Sequence, residues 1–188
     1  MPLITENAVA IRVSQADGKA DILEEIIAEA QALADGYCKR VLESASYTEY
    51  HDIGHDQAAL SLRQYPVTGT LLLYTGTNGN PTLLQTSGVD YLLDTDAGII
   101  NCLTGAWPEG PRNVRATYTA GYTAATCPAG LKAALYDLCA FRLEFTGSAG
   151  ASGESADGYQ VTYEDTIAGV PLSIAKLLDP FARRVVLG

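Results

Sequence analysis

Between Asn113 and Phe145 the sequence changes period, and that change restricts the folds open to the chain more than any other feature. Val114, Ala116 and Tyr118 alternate with Arg115, Thr117 and Thr119, a period of two that predicts a half-buried strand. Gly121 closes it, because a residue without a Cβ takes the positive φ that a sharp exit needs. Pro128 then suits the first turn of a helix, where its missing N–H removes no intrahelical bond. Leu131, Leu135, Leu138, Cys139, Arg142 and Phe145 recur at three- and four-residue steps, and apart from Arg142 they form one apolar face. Lys132, Asp137 and Glu144 fall largely off that face. The chain therefore holds a strand that leads into an amphipathic helix over 129–145, and the helix needs a partner.

The partner is predicted upstream. Ile22, Ile26, Ala30, Leu33, Tyr37 and Val41 keep helical spacing over about 21–41, with Leu23, Ile27 and Ala34 widening the stripe. Asp21 followed by Glu24 reads as an N-cap with an acidic residue behind it. Glu24, Glu25, Glu29, Gln31 and Asp35 take the solvent side, while Lys39 and Arg40 suit the C-terminal dipole. Leu33 and Leu138 are expected in the core where the two long helices meet. A shorter helix over about 5–13 has Thr5 as its cap, Ala8 and Ile11 turned inward, and Asp17-Gly18 as its break.

Residues 46–122 read as a β-rich antiparallel insertion between the long helices. Tyr47–His51 and Ala59–Arg63 alternate around a glycine-bearing turn and predict a hairpin. Thr70–Tyr74 is a further strand, Thr75–Pro81 is turn punctuation, and Tyr91–Asp94 and Gly98–Cys102 are strands flanking Thr95–Gly98. Trp107-Pro108 belongs to a loop. The fold class is α+β: long antiparallel helices forming a small helical core, a β-rich insertion, and a C-terminal helix and tail.

The order of these motifs resembles the head–tail connector (adaptor) proteins of tailed bacteriophages. The resemblance rests on Tyr118–Tyr122 (Y-T-A-G-Y) followed by Pro128, Leu131, Lys132 and Ala134, on Thr48-Glu49-Tyr50, and on Leu62 with Tyr65-Pro66-Val67. Tyr91–Asp94, Gly98–Ile100 and Trp107-Pro108 continue it, so that it spans roughly residues 1–146. It implies a structural protein of the virion neck, made in the host bacterial cytoplasm. Such proteins form a homo-oligomeric ring, a dodecamer, beneath the portal protein. The ring extends the DNA channel and docks a head-closure or tail protein. DNA passes without specific binding, and neither a cofactor, a catalytic group nor a membrane is implied.

Charge and composition agree with that expectation. Lys and Arg number 12 against 22 Asp and Glu, for a formal charge of −10, which disfavours a general DNA-gripping surface. An acidic channel wall lets phosphates slide, and Glu24, Glu25, Glu29 and Asp35 are its candidates. The scattered cysteines, with Cys38 and Cys139 on apolar helix faces, suit buried free thiols in a reducing compartment. No apolar run approaches a bilayer span, and the acidic start lacks the pattern of a signal peptide.

After Phe145, residues 147–158 are rich in Gly, Ser and Ala and read as a flexible link. Gln160–Asp165 alternates as a strand, and Pro171 opens a last helix. Leu172, Leu177, Leu178, Phe181, Arg183 and Arg184 carry more apolar and basic character than an idle tail needs, and the resemblance implies that 159–188 docks on the portal or a neighbouring subunit. The competing arrangement is a third core helix.

One cluster has metal-ligand chemistry. His51, Asp52, His55 and Asp56 supply the residue types of a metal-dependent hydrolase, the alternative function. Gly54 and the alternating flanks disfavour the helix that this histidine spacing needs, so an exposed, solvated hairpin tip is the expectation. No G-x-S-x-G elbow or phosphate loop is present, and the tyrosines lack the interleaved cations of a nucleic-acid groove.

Overall fold

The structure is a computed structural model that describes residues 2–13, 16, 20–145, 153–156, 159–162 and 166–183. Its class is α+β, with two compact units: one drawn from 1–42 and 123–184, the other from 43–122.

The first unit is helical. Helix α1 (Glu6–Arg12) starts where Thr5 accepts the Ala8 N–H at 3.3 Å. Val9 faces inward beside Leu3, Ile4 and Val13, whereas Ile11, expected inside, is 77% exposed. Two positions separate Ile11 from Val9, about 200° around a helix, so both cannot face the core. Asp17-Gly18 lies outside the described residues.

Helix α2 (Leu23–Cys38) is led by a 3-10 turn over Ala20–Ile22, and Ile22 makes no side-chain cap bond. The Asp21 cap is therefore not formed. Leu23, Ile26, Ile27, Ala30, Ala34 and Cys38 are buried. The stripe is rotated from the expected one, leaving Ile22, Leu33 and Tyr37 half-buried. Ala30, Ala34 and Cys38, already placed on the apolar side by the sequence, form its centre, where small side chains let a neighbouring helix approach closely. The helix also stops earlier than 41. Lys39 turns left-handed at φ 56°, its N–H bonds Asp35 O, and the Asp35 carboxylate accepts the Leu42 N–H at 2.9 Å.

Helix α3 (Ala129–Phe145) buries Leu131, Ala134, Leu135, Leu138, Cys139 and Leu143, as the periodicity requires. Arg142, the polar member of that stripe, meets Glu29 of α2 at 2.6 Å. The end of α2 and the start of α3 both adjoin the segment near Phe181, so the two long helices run antiparallel.

Helix α4 (Leu172–Leu178) begins after Pro171 and buries Ile174, Ala175 and Leu178. It packs on α2 and α3. Tyr37 donates its hydroxyl to Asp179 at 2.5 Å, Arg40 Nε to Phe181 O at 2.8 Å, and Arg183 N–H to Cys38 O at 2.8 Å. This is the third-core-helix arrangement, and Leu178 is fully covered by its own chain. Within the expected link, Gly153–Ala156 forms strand β8, paired with β9 (Tyr159–Thr162), and β10 (Thr166–Ile167) pairs with β11 (Val170–Pro171). The rest of 147–158, residues 163–165, and Arg184 with 185–188 lie outside the described residues.

The second unit contains two antiparallel sheets. One has the order β1-β7-β3-β4, from Ala45–Ile53, Gly110–Ala120, Leu72–Thr77 and Asn80–Leu84. The other has the order β2-β6-β5, from Ala59–Ser61, Ile99–Cys102 and Tyr91–Asp94. Leu73, Val114, Ala116 and Tyr118 of the first sheet share a core with Leu60, Leu62, Tyr91 and Ile100. The predicted hairpin of Tyr47–His51 with Ala59–Arg63 does not form. β1 instead pairs with β7, Tyr47 opposite Tyr118, while β2 joins β6. An eleven-residue β7 offers β1 a far longer ladder than the three residues of β2. Thr75–Pro81 likewise is mostly strand. Only Asn78 and Gly79 turn, at φ 55° and 73°. Gly76 is required there, because a Cβ would sit 2.1 Å from Asn80 O.

Candidate functional site

The signature residues converge on a buried node of the sheet unit. β1 places Tyr47, Glu49, His51 and Ile53 on its core side, so the Thr48-Glu49-Tyr50 motif carries a carboxylate inward, 8% exposed. Glu49 accepts the Tyr118 hydroxyl and, at 3.1 Å, the Arg63 N–H. Tyr118 in turn accepts the Gln64 N–H at 3.2 Å. Burial, and then the bond and charge of Glu49, raise the Tyr118 pKa, so the phenol stays protonated as a donor.

The neighbouring motifs complete the node. Tyr65-Pro66 is a cis peptide, and Pro66 O accepts the Gly121 N–H at 2.9 Å. Leu62 donates its N–H to Gly98 O, and Val67 to Thr95 O, each at 2.8 Å. Gly98 has φ 65°, and a Cβ there would lie 3.1 Å from Tyr65 Cβ. The residues of the Leu62–Val67, Gly98 and Tyr118–Tyr122 motifs are thus joined by internal hydrogen bonds. Sequence reasoning missed the role of Glu49, although its place between Tyr47 and His51 in the alternation marked it as inward-facing.

The histidines do not form the exposed pair expected of the turn. His51 is half-buried on β1, its Nε2 3.9 Å from Glu49 Oε1. Burial holds its pKa down, assisted by Arg63 and opposed by Glu49 and Asp52. Asp52 accepts the Arg112 N–H at 2.8 Å. His55 is 82% exposed, with Asp56 3.3 Å from Nε2 and Glu109 3.2 Å from Nδ1. Those carboxylates sit on opposite edges of the imidazole, so they cannot converge on one ion. No group of three His, Cys, Asp or Glu side chains among the described residues is arranged to hold a metal.

The other candidates divide by exposure. On α2, Glu24 and Glu25 are exposed, while Glu29 pairs with Arg142 and Asp35 holds the helix end. In the last segment Leu177 and Arg183 are exposed, Leu172 and Phe181 half-buried, and Leu178 buried.

A helical unit is thus interrupted in sequence by a two-sheet unit, and the signature residues of the latter are engaged in internal hydrogen bonds. No family model matches the chain, and no curated protein does. Solved structures do. The chain is similar to one in the neck of an empty GTA particle computed with C6 symmetry, with a TM-score of 0.56 and 20% identity. That match covers 90% of this chain and 81% of the other. A chain of the virion of a native gene transfer agent (GTA) particle matches with a TM-score of 0.57 and 20% identity, over 91% and 81%. One from the neck of a native GTA particle computed with C12 symmetry matches with 0.54 and 21%, over 90% and 85%. At such identities the shared property is the fold.

Proposed function

We propose that the chain is a structural component of the neck of a phage-like particle: a head–tail connector that forms a ring beneath the portal, extends the DNA channel and docks the next neck or tail protein. The observation that carries this reading is the fold shared with neck chains over nine-tenths of the sequence. Repetition around a C6 or C12 axis in those necks supports a homo-oligomer. In this reading Glu24 and Glu25 are the remaining candidates for an acidic channel wall. Leu177 and Arg183 are the exposed candidates for contact with the portal.

Cryo-electron microscopy of particles carrying the chain tests the proposal. A ring of its density at the head–tail vertex, and tailless heads when the chain is omitted, are expected. Particles complete without it, or density confined to another part of the virion, would overturn the reading.

A further inference from the structure

The four-stranded sheet has a second face, turned away from the core of its unit, and this face has an ordered composition. Tyr50 of β1 stands opposite Arg115 of β7, Arg115 opposite Tyr74 of β3, and Tyr74 opposite Leu84 of β4. One row thus crosses all four strands. Beside it run Thr48, Thr117 and Leu72, with the two threonine hydroxyls 3.1 Å apart. The Arg115 guanidinium lies 4.3 Å from the Tyr74 ring centroid, and that of Arg112 lies 4.1 Å from Tyr50. Leu72 and Leu84 are 42% and 52% exposed.

Charge sets this face apart. Between 43 and 122 the basic residues are Arg63, Arg112 and Arg115, against eight Asp and Glu. Arg63 is directed to Glu49 at 3.5 Å. The guanidinium groups of Arg112 and Arg115 make no ion pair among the described residues. Asp52, on the same side, bonds the Arg112 backbone. Stacked Arg and Tyr ringed by Thr and Leu is the composition of an interface centre: large contact area, little entropy left to lose, and charge awaiting a counterpart.

We propose that this sheet face is one half of the contact between neighbouring copies of the chain, seated on an acidic surface of the next copy. The inference rests on the ring reading above. A chain of charge −10 offers its neighbour a predominantly acidic surface. A head-to-tail ring needs two different, complementary patches rather than one self-matching patch. Nucleic acid fits less well, because a guanidinium already covers one face of each tyrosine and the unit as a whole has eight acidic residues against three basic ones.

The test places a photo-crosslinking benzoylphenylalanine at Leu72 in the full chain, free in solution and within particles, and identifies the linked peptides by mass spectrometry. Acidic peptides from a second copy are expected, and Arg112→Glu should weaken self-association by about tenfold. Its exposed position lets the variant keep the native circular dichroism spectrum, and added salt should weaken the native chain in the same direction. Links only to another protein or to nucleic acid, or none at all, while the ring still forms, would overturn the face and leave the ring reading standing. A chain that stays monomeric in solution and is present as a single copy per particle would overturn both.

Discussion

Glu49 is a carboxylate with 8% exposure in the core of a small sheet unit, and Tyr118 makes it tolerable there. Removing the phenol oxygen leaves both the carboxylate and the Gln64 N–H short of a partner. Tyr118→Phe should therefore cost ~1–3 kcal/mol, read as a lower urea midpoint with an unchanged slope. His51, two residues along the same side, adds a pH dependence. Its pKa lies below the ordinary 6.5 because burial penalises the charged ring. The unfolded chain thus takes up the proton first as pH falls, so this contribution is complete above 6.5 and is lost below it. From about pH 7.5 to pH 5.5 the native chain should lose more stability than His51→Gln. Equal losses would remove His51 as the titrating group.

At the scale of elements, the last helix changes the expectation most. A segment expected to reach a partner has Ile174, Ala175 and Leu178 buried and is bonded to the end of α2 at Tyr37, Cys38 and Arg40. Leu178→Ala should cost ~2–5 kcal/mol, comparable to Leu138→Ala in α3. Removing residues 171–188 should abolish cooperative unfolding of the helical unit. Ile11→Ala, on the exposed side of α1, should stay within ~0.5 kcal/mol. Thermal and urea denaturation of the three point variants checks the ordering. A neutral Leu178→Ala would return the segment to the role of a detached arm.

For the whole molecule, the division into two units makes a further expectation testable. The sheet unit closes its own core, and its ends meet where Ser44 donates its N–H to Tyr122 O at 2.8 Å. A fragment of residues 43–122 should therefore fold alone, with a single cooperative urea transition and dispersed amide resonances. Its size is near the lower end for an independent core, so the transition should be shallow and the stability modest. A broad, non-cooperative transition would show that the sheets depend on the helical unit.

Local periodicity determined a great deal by itself. The run from β7 through Gly121 and Pro128 into α3 needed only neighbours in sequence, as did the hairpin of β5 and β6 and the cap at Thr5. The free cysteines and the α+β class followed from the same kind of pattern. Tertiary structure decided which segment each pattern would meet. Tyr47–His51 carried the alternation of a strand, but nothing local favoured β7 over β2, and the longer ladder won. Ala30, Ala34 and Cys38 were legible on the apolar side of α2, but only packing against its neighbours left Leu33 and Tyr37 half-buried beside them. Leu178 looked as suitable for a partner as for the core until α2 and α3 left a place for it. The open sheet face shows the same division. Alternation put Arg115 opposite in sense to Val114 and Ala116, but only the registers of four strands brought Tyr50, Arg115, Tyr74 and Leu84 into one row. A segment's own residues state what it must bury, whereas its partner is chosen by competition among distant segments for the same surface.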